Sequence, residues 1–537
     1  MSSRRAIGAA VAGATALALT AAAAGHAGPP ALPGDAVGCH PSWPVSVYDG
    51  TGQPATTATR MVPCVTETGF ATSETSIGVT NDGALFFSPA GTENSMAISR
   101  DHGASWSLTA PTHAERTALW NTVDPQITVD RRTGRLFWVH VTGPTRTLPI
   151  VVDQSPLPPP EGTDLGTAVA FAYGFQVYAT PDDGKTWTTA DYRTAPVTDW
   201  EKIVVGPPAA GAPQPHGYPN VVYVCGNSPD EAIGPGRLCY RSLDGGASFA
   251  PAGFVYPSVA TPKACIAVDA DTGAVGSDGT LYQPMSCTDG AYVAVSHDEG
   301  ASYTWHPVAG APGTTSVAGG RTEIALDADN DLYAVWLSNG RIEMSMSRDG
   351  ARTWAAAQTV SPPQLHQIAL PAVAAGPAGS MGIAYYASDA TSGPMTGYLT
   401  QTTDALAARP TFVTAALGQP GHVDAYATGL TSGSPRADYV GATYDGDGVL
   451  WAAMMRQLAA PDSTGQVKTV GVVGRVASLG APTAAQTPAK RSARSRAPAI
   501  ARPAGTLAAT GRDLGLGGAV ALALLAAGVA LHRRRVA

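Results

Sequence analysis

Five residues suited to polar recognition, Glu74, Asp124, Trp200, Lys263 and Arg321, each stand three positions before an apolar residue that opens a short β-like run: Ile77, Ile127, Ile203, Ile266 and Ile324. Glu201 and Glu323 lie alongside, and His366 and Asp438 hold neighbouring positions before two further runs near Val373 and Ala442. If these runs are equivalent strands of a ring, the side chains converge at one end of it. Carboxylates, a guanidinium, an ammonium and an indole around one cleft could hold a polyol or a sugar acid through charge-assisted hydrogen bonds. The same groups could instead pair with one another in a solvated funnel.

The runs belong to a repeated phrase: an apolar strand, a turn rich in Asp, Asn and Gly, and a second strand. SIGVTNDGALFF from Ser76, QITVDRRTGRLFWVH from Gln126 and EIALDADNDLYAVW from Glu323 are clear copies. KIVVGPP with NVVYVCG, and ALPAVAAGPAGSMGIAYY from Ala369, are looser ones. An octapeptide, Ser/Thr-x-Asp-x-Gly-x-Ser/Thr-aromatic, follows at Ser99 to Trp106, Thr180 to Trp187, Ser242 to Phe249, Ser296 to Tyr303 and Ser347 to Trp354. Each copy comes after an alternating run, which makes it a hairpin turn. Asp101, Asp182, Asp244, Asp298 and Asp349 can accept turn amides, and the glycine two residues on permits positive φ. The last copy has Ala351 in the glycine position, which leaves its turn geometry open, and a worn copy runs from Thr402 to Phe412.

Phrase plus hairpin makes four antiparallel strands, and their recurrence predicts an all-β chain: a β-propeller of six or seven four-stranded blades. A seventh blade would be completed by the run from Val467 or by residues near Met61 to Thr66, which would close the ring and remove free edges. The octapeptide resembles the Asp-box, or BNR repeat, of sialidases. That resemblance implies a sialidase-like propeller with the boxes on structural turns away from the active site. It also implies, for an exo-α-sialidase or related glycoside hydrolase, three arginines on a sugar carboxylate, a tyrosine nucleophile activated by glutamate, and an aspartate acid/base. The family's Arg-Ile-Pro motif is absent, and Glu74-Thr75-Ser76-Ile77 stands in its place. Arg321 is the one arginine in register; Arg237, Arg436 and Arg456 join it only through favourable loop paths, and neither Tyr439 nor Tyr444 is singled out by spacing.

Both ends carry addresses. Arg4 and Arg5, an apolar stretch from Ile7 to Ala24 and small residues to Ala27 form a signal peptide, residues 1–27. Residues 28–68 are an N-terminal segment, 69–476 the propeller, and 477–506 a basic Pro- and Ala-rich spacer. Residues 507–537 hold Leu507-Ala508-Ala509-Thr510-Gly511, an apolar stretch and His532-Arg533-Arg534-Arg535. This resembles a sortase sorting signal, which implies cleavage between Thr510 and Gly511 and transfer to the peptidoglycan of a Gram-positive cell wall. Kept uncleaved, the apolar stretch is a membrane anchor. From residue 477 there are nine basic and one acidic residues; with Arg4 and Arg5 removed as well, 33 − 11 = 22 basic and 41 − 1 = 40 acidic remain, or −18 for the body. An acidic body argues against a nucleic-acid partner.

Six cysteines in an exported chain suggest disulfides. Antiparallel neighbours would set Cys225 beside Cys239 and Cys265 beside Cys287, leaving Cys39 and Cys64. No cofactor and no metal site is expected: Asp327-x-Asp329-x-Asp331 opens like a calcium loop, but Leu332 stands where the loop needs glycine. The reading is a cell-surface propeller that recognises a glycan or another surface ligand at its mouth, with hydrolysis as the alternative.

Overall fold

A computed structural model describes residues 37–72, 74–89, 95–111, 125–141, 174–192, 195, 197, 199–228, 236–257, 265–266, 272–313, 321–419, 440–459 and 468–479. The signal peptide, Thr510 and Gly511 lie outside these residues, as do Asp124, Lys263, Asp438, Arg436 and Tyr439; of the expected spacer, 477–479 are the end of a propeller strand and the rest lies outside.

The described residues form seven antiparallel sheets. Blade 1 contains Ile77–Val79, Leu85–Phe87, Met96–Ser99 and Ser107–Thr109. Blade 2 contains Gln126–Val129, Leu136–Val141, Phe175–Thr180 and Thr188–Tyr192. Blade 3 follows with Asp199–Gly206, Val221–Ser228, Gly236–Ser242 and Ala250–Pro257. In blade 4 the inner strand is split into Cys265–Ile266 and Ala274–Val275, both on Leu281–Cys287, with Gly290–Ser296 and Thr304–Pro307 outside them. Blade 5 is Glu323–Leu326, Leu332–Ser338, Arg341–Ser347 and Gln358–Thr359. Blade 6 is Gln367–Ala375, Met381–Ser388, Thr396–Thr402 and Thr411–Ala416. Blade 7 has Gly441–Tyr444, Leu450–Gln457 and Thr469–Leu479.

Each inner strand packs on the next, and Gly441–Tyr444 packs on Ile77–Val79, so the ring closes at seven blades. Both sequences proposed for the last blade take part. Thr469–Leu479 is its third strand, and Arg60–Glu67 pairs along it from Arg60↔Leu479 to Glu67↔Val472 as the fourth. A further N-terminal strand, Val45–Asp49, adds a fifth to blade 6 beside Thr411–Ala416. Two outer strands of the propeller therefore come from the stretch before residue 69.

There is no single core. Seven apolar clusters fill the seven spaces between blades, because alternate residues of a strand face opposite neighbours. In blade 1, Leu85 and Phe87 face blade 7 while Phe86 faces blade 2. A strand buried on both faces reads as a continuous apolar run, as LFF does.

The octapeptides are the turns between third and fourth strands, and one hydrogen-bond scheme recurs in all five. In blade 1, Ser99 Oγ meets Asp101 Oδ1 at 2.8 Å and accepts the Gly103 amide at 2.8 Å, while the Ser105 amide donates to Asp101 Oδ1 at 2.9 Å. The same bonds join Ser347, Asp349, Ala351 and Thr353 in the divergent copy. The turn needs two successive left-handed residues, and there Gly350 has φ 74° and Ala351 φ 70°. Alanine in that region is strained by about 1 kcal/mol. Ala351→Gly is therefore expected to stabilise the protein by roughly that amount in equilibrium denaturation; a loss of stability would show that the buried methyl outweighs the strain. In the worn copy Thr402 still bonds Asp404, and the Thr411 amide takes the distant hydroxyl residue's part, donating to Asp404 Oδ1 at 2.8 Å.

The boxes also clip blades together. Arg100 Nη2 donates to Asp183 O at 2.6 Å, Thr109 Oγ1 to Gly184 O at 3.0 Å, and Arg135 Nη1 to Gly245 O at 3.1 Å. Cys225–Cys239 and Cys265–Cys287 form as the strand register requires, and the remaining two cysteines form Cys39–Cys64.

Candidate functional site

In blades 1, 2 and 5 the residue just before the apolar anchor points along the ring, where it bonds the next blade. Ser76 Oγ accepts the Ile127 amide at 2.8 Å, Gln126 Oε1 accepts that of Ile203 at 2.6 Å, and Glu323 Oε2 accepts that of Val373 at 3.0 Å. In each case the donor is the anchor of the following blade. Glu323, expected at the mouth as a ligand group, thus has one oxygen committed to holding the ring.

The long latches answer a local irregularity. The inner strands of blades 3 and 6 each carry a β-bulge, between Asp199 and Lys202 and between Ala369 and Ala372. Trp200 and Leu370 open these bulges in the left-handed region, at φ 51° and 52°. Such a conformation is unusual for bulky side chains, and bulges of this kind re-aim side chains near sites. Gln126 and Glu323, the two long latches, reach to the bulged strands, whereas Ser76 suffices for the regular strand of blade 2.

At the bulge of blade 3, Trp200 holds two cations. The Arg321 guanidinium carbon lies 4.6 Å from the indole ring and Lys202 Nζ 4.9 Å from it. Cation–π contact fixes the position of a positive charge over the ring. Trp200 is only 5% exposed, so its ring is a support for the cations and not a platform for a sugar face. Behind it the fully buried Arg237 donates Nε to Gln283 Oε1 at 3.2 Å and Nη1 to Trp200 O at 3.4 Å.

The channel below is narrow. A cavity of about 70 Å3 is lined by Thr75, Ser76, Gln126, Lys202, Thr272 and Glu323, among others. Ligand pockets run to roughly 300–1,000 Å3, so a sugar ring cannot enter, while a small anionic group can. Gln126 Nε2 also bonds Thr272 Oγ1 across this throat.

Of the residues expected at the mouth, Trp200, Arg321 and Glu323 gather with Lys202 around the top of the channel. Glu74 and Glu201 are buried beside the inner strands of blades 1 and 3. His366 is exposed above the bulge of blade 6, its amide donating to Ser388 O at 2.9 Å. Lys202 and Gln126 were missed as site residues; the polar residue recurring just before Ile77, Ile127, Ile203 and Ile324 was the available signal.

The groups a sialidase-type reaction needs do not assemble among the described residues. Arg237 lies behind Trp200, and Arg456 is turned to Glu67 Oε1 at 2.7 Å and Leu417 O at 3.1 Å. Tyr444 sits at the opposite end of its inner strand, beside the Asp445 turn, and burial pushes its hydroxyl far above the usual phenol range. Asp327 is saturated as a turn residue: Oδ1 accepts the amides of Asp329 and Asp331, and Oδ2 accepts Tyr333 Oη–H and the Gly379 amide.

The chain is a seven-bladed β-propeller with cations fixed at one mouth. No protein-family model matches it, and no curated protein does. Among solved structures it is similar to a protein of unknown function from Dyadobacter fermentans, with 12% identity and a TM-score of 0.40 over 66% of this chain and 98% of that one. It is also similar to the NanB sialidase from Streptococcus pneumoniae, with 11% identity and a TM-score of 0.38 over 77% and 70% of the two chains. The GH74 xyloglucanase from Xanthomonas campestris gives 14% and 0.43, covering 75% of this chain and 55% of that one. A shared architecture leaves activity to be decided by the site itself.

Proposed function

We propose that the protein is an exported binding propeller, displayed on the cell wall through its C-terminal sorting signal, whose mouth recognises the anionic groups of acidic glycans. The carrying observation is the pair of cations, Arg321 and Lys202, held against Trp200 at the top of a throat too narrow for a sugar ring. A carboxylate or sulfate group would reach into the throat while the sugar stays above it. Arg321 is half-exposed and meets the ligand first; Lys202 lies deeper. Three disulfides support an extracellular address, because thiols stay reduced in the cytosol.

The test measures binding of the purified protein to uronate-, sialate- and sulfate-bearing oligosaccharides beside neutral counterparts. Arg321→Ala should weaken binding to the acidic ones by about 10- to 100-fold, the worth of one charge-assisted contact. Equal retention of neutral and acidic glycans, or none of either, would overturn the proposal. Turnover of a fluorogenic sialoside that disappears in Arg321→Ala would replace binding by catalysis.

A further inference from the structure

We infer that the ring of inner strands holds a single monovalent anion of halide size in the throat, seated on the backbone amides of Ile77 and Ala442. The site lies below the mouth and does not rest on what the mouth recognises.

Strand geometry decides which way the inner-strand amides face. In an antiparallel strand, successive residues direct their backbone groups to opposite sides. The first turn residue of a blade bonds outward, to the second strand: Thr80 N to Ala84 O at 3.0 Å in blade 1, Asp130 N to Arg135 O at 2.9 Å in blade 2, Gly376 N to Ser380 O at 3.0 Å in blade 6 and Asp445 N to Val449 O at 2.9 Å in blade 7. The amide three positions earlier therefore points the other way, into the channel. Ile127 and Val373 obey this count, and theirs are the amides that Ser76 Oγ and Glu323 Oε2 accept. By the same count Ile77 and Ala442 face inward.

Ile127 and Val373 are latched by an acceptor on the blade before them. For Ile77 and Ala442 the residues at that latch position are Gly441 and Ala372, whose side chains hold no acceptor. Blades 7 and 1 pack on each other through these strands, so two neighbouring donors face a cavity of about 70 Å3. Ser76 adds a third: its Oγ accepts the Ile127 amide and keeps its own proton to donate. The carbonyls of Ile77 and Ala442 follow one peptide further down the channel, so at this level the wall presents donors. Amides grouped at a sheet edge make an anion seat.

Charge narrows the guest. Lys202 and Glu323 also line the cavity, are 2% and 3% exposed, and bring one charge of each sign, so the ring is formally neutral. A second negative charge on the guest would be buried without compensation, which is costly. Glu323 stands in blade 5, with blade 6 between it and Ala442, and its Oε2 is turned to the Val373 amide. A halide carries one charge, has no proton to place and is bound by N–H and O–H donors alone.

Crystals soaked in sodium bromide and measured at the bromine absorption edge test the site. An anomalous peak in contact with Ile77 N and Ala442 N is expected. Thermal melts give a second readout. Raising bromide from about 1 mM to about 100 mM should raise Tm more in wild type than in Ala372→Ser, because the added hydroxyl takes the Ala442 amide as Ser76 takes that of Ile127. Both proteins meet the same ionic strength, so the difference belongs to the site. The bromide midpoint should move up about tenfold in the variant, the worth of one hydrogen bond to a charged group. Gly441→Ala places a methyl 3.2 Å from Ile77 N and should weaken the peak as well. Throat density without anomalous signal, water only, overturns the inference. A peak with equal melting responses in wild type and Ala372→Ser is an adventitious ion only and overturns it too. If Ala372→Ser does not fold, the Gly441→Ala comparison decides. Failure of the glycan reading would leave the peak and the melts as they are, and failure of the halide site would leave glycan binding to be judged by Arg321→Ala.

Discussion

Arg237→Ala should lower the free energy of unfolding by about 3–5 kcal/mol, the usual cost of removing one member of a buried charged network. Arg237 is 0% exposed, and its guanidinium bridges Gln283 of blade 4 to the Trp200 carbonyl of blade 3. Truncation leaves the Gln283 amide oxygen and that carbonyl without these donors in a space water does not reach, and each orphan costs about 1–3 kcal/mol. The same change removes what holds Trp200 in its left-handed conformation, so the emission of Trp200 should shift and acidic-ligand binding weaken. Arg237→Lys keeps the charge but loses the planar fork, and should recover less than half of the loss. Equilibrium denaturation in guanidinium chloride measures both variants. A loss below about 1 kcal/mol in Arg237→Ala would mean that the bulge holds Trp200 unaided.

The parts of this fold that could be read from residue order are those where a local rule repeats. Asp101, Asp182, Asp244, Asp298 and Asp349 each close a turn with their own flanking hydroxyls, so the turn is written in eight consecutive residues. The disulfide partners follow from strand register, since Cys225↔Cys239 and Cys265↔Cys287 are directly opposed. Val45–Asp49 escaped notice because an outer fifth strand is specified by its partner Thr411–Ala416 and not by a repeated phrase. The mouth was legible only to the level of which residues approach it. The two phrases that looked loosest, KIVVGPP and ALPAVAAG, are the two inner strands with bulges, and a bulge shifts the face of every residue before it. A departure from the repeat was therefore the strongest local pointer to the site, as expected where function makes a chain depart from local regularity. Glu323 shows the complementary limit: it lines the channel and also latches a backbone amide of the next blade, and register alone does not reveal the second role.

The second large effect is on acid stability, and it should come in two limbs. His140 is buried between blades 1 and 2, beside Trp138 and Tyr178, with Nε2 donating to Gln176 Oε1, which also accepts Tyr178 Oη–H. Burial disfavours the imidazolium and outweighs the Gln176 contact, lowering its pKa from 6.5 to about 4. The unfolded chain therefore binds the proton first, and stability falls as pH drops from about 6.5 to about 4. Integrated over that window the loss is about 3 kcal/mol. Burial of Glu299, partly offset by Arg241, raises its pKa, and protonating it opposes part of this loss. The lower limb belongs to the octapeptides. Hydrogen bonds from Thr353 bring Asp349 to about 2, and those from Ser105 lower Asp101. For Asp182, Asp244 and Asp298 burial pushes upward, but the bonds from the turn outweigh it and the net direction is down. Depressed carboxylates stabilise above their unfolded pKa and lose that contribution as pH falls through the folded value, between about 4 and 2. Thermal melts from pH 8 to pH 2 should show both limbs. His140→Gln should flatten the upper one and leave the lower, and Asp349→Asn should do the reverse at a cost in neutral-pH stability. Parallel curves for wild type and His140→Gln between pH 6.5 and 4 would place the upper limb elsewhere in the molecule.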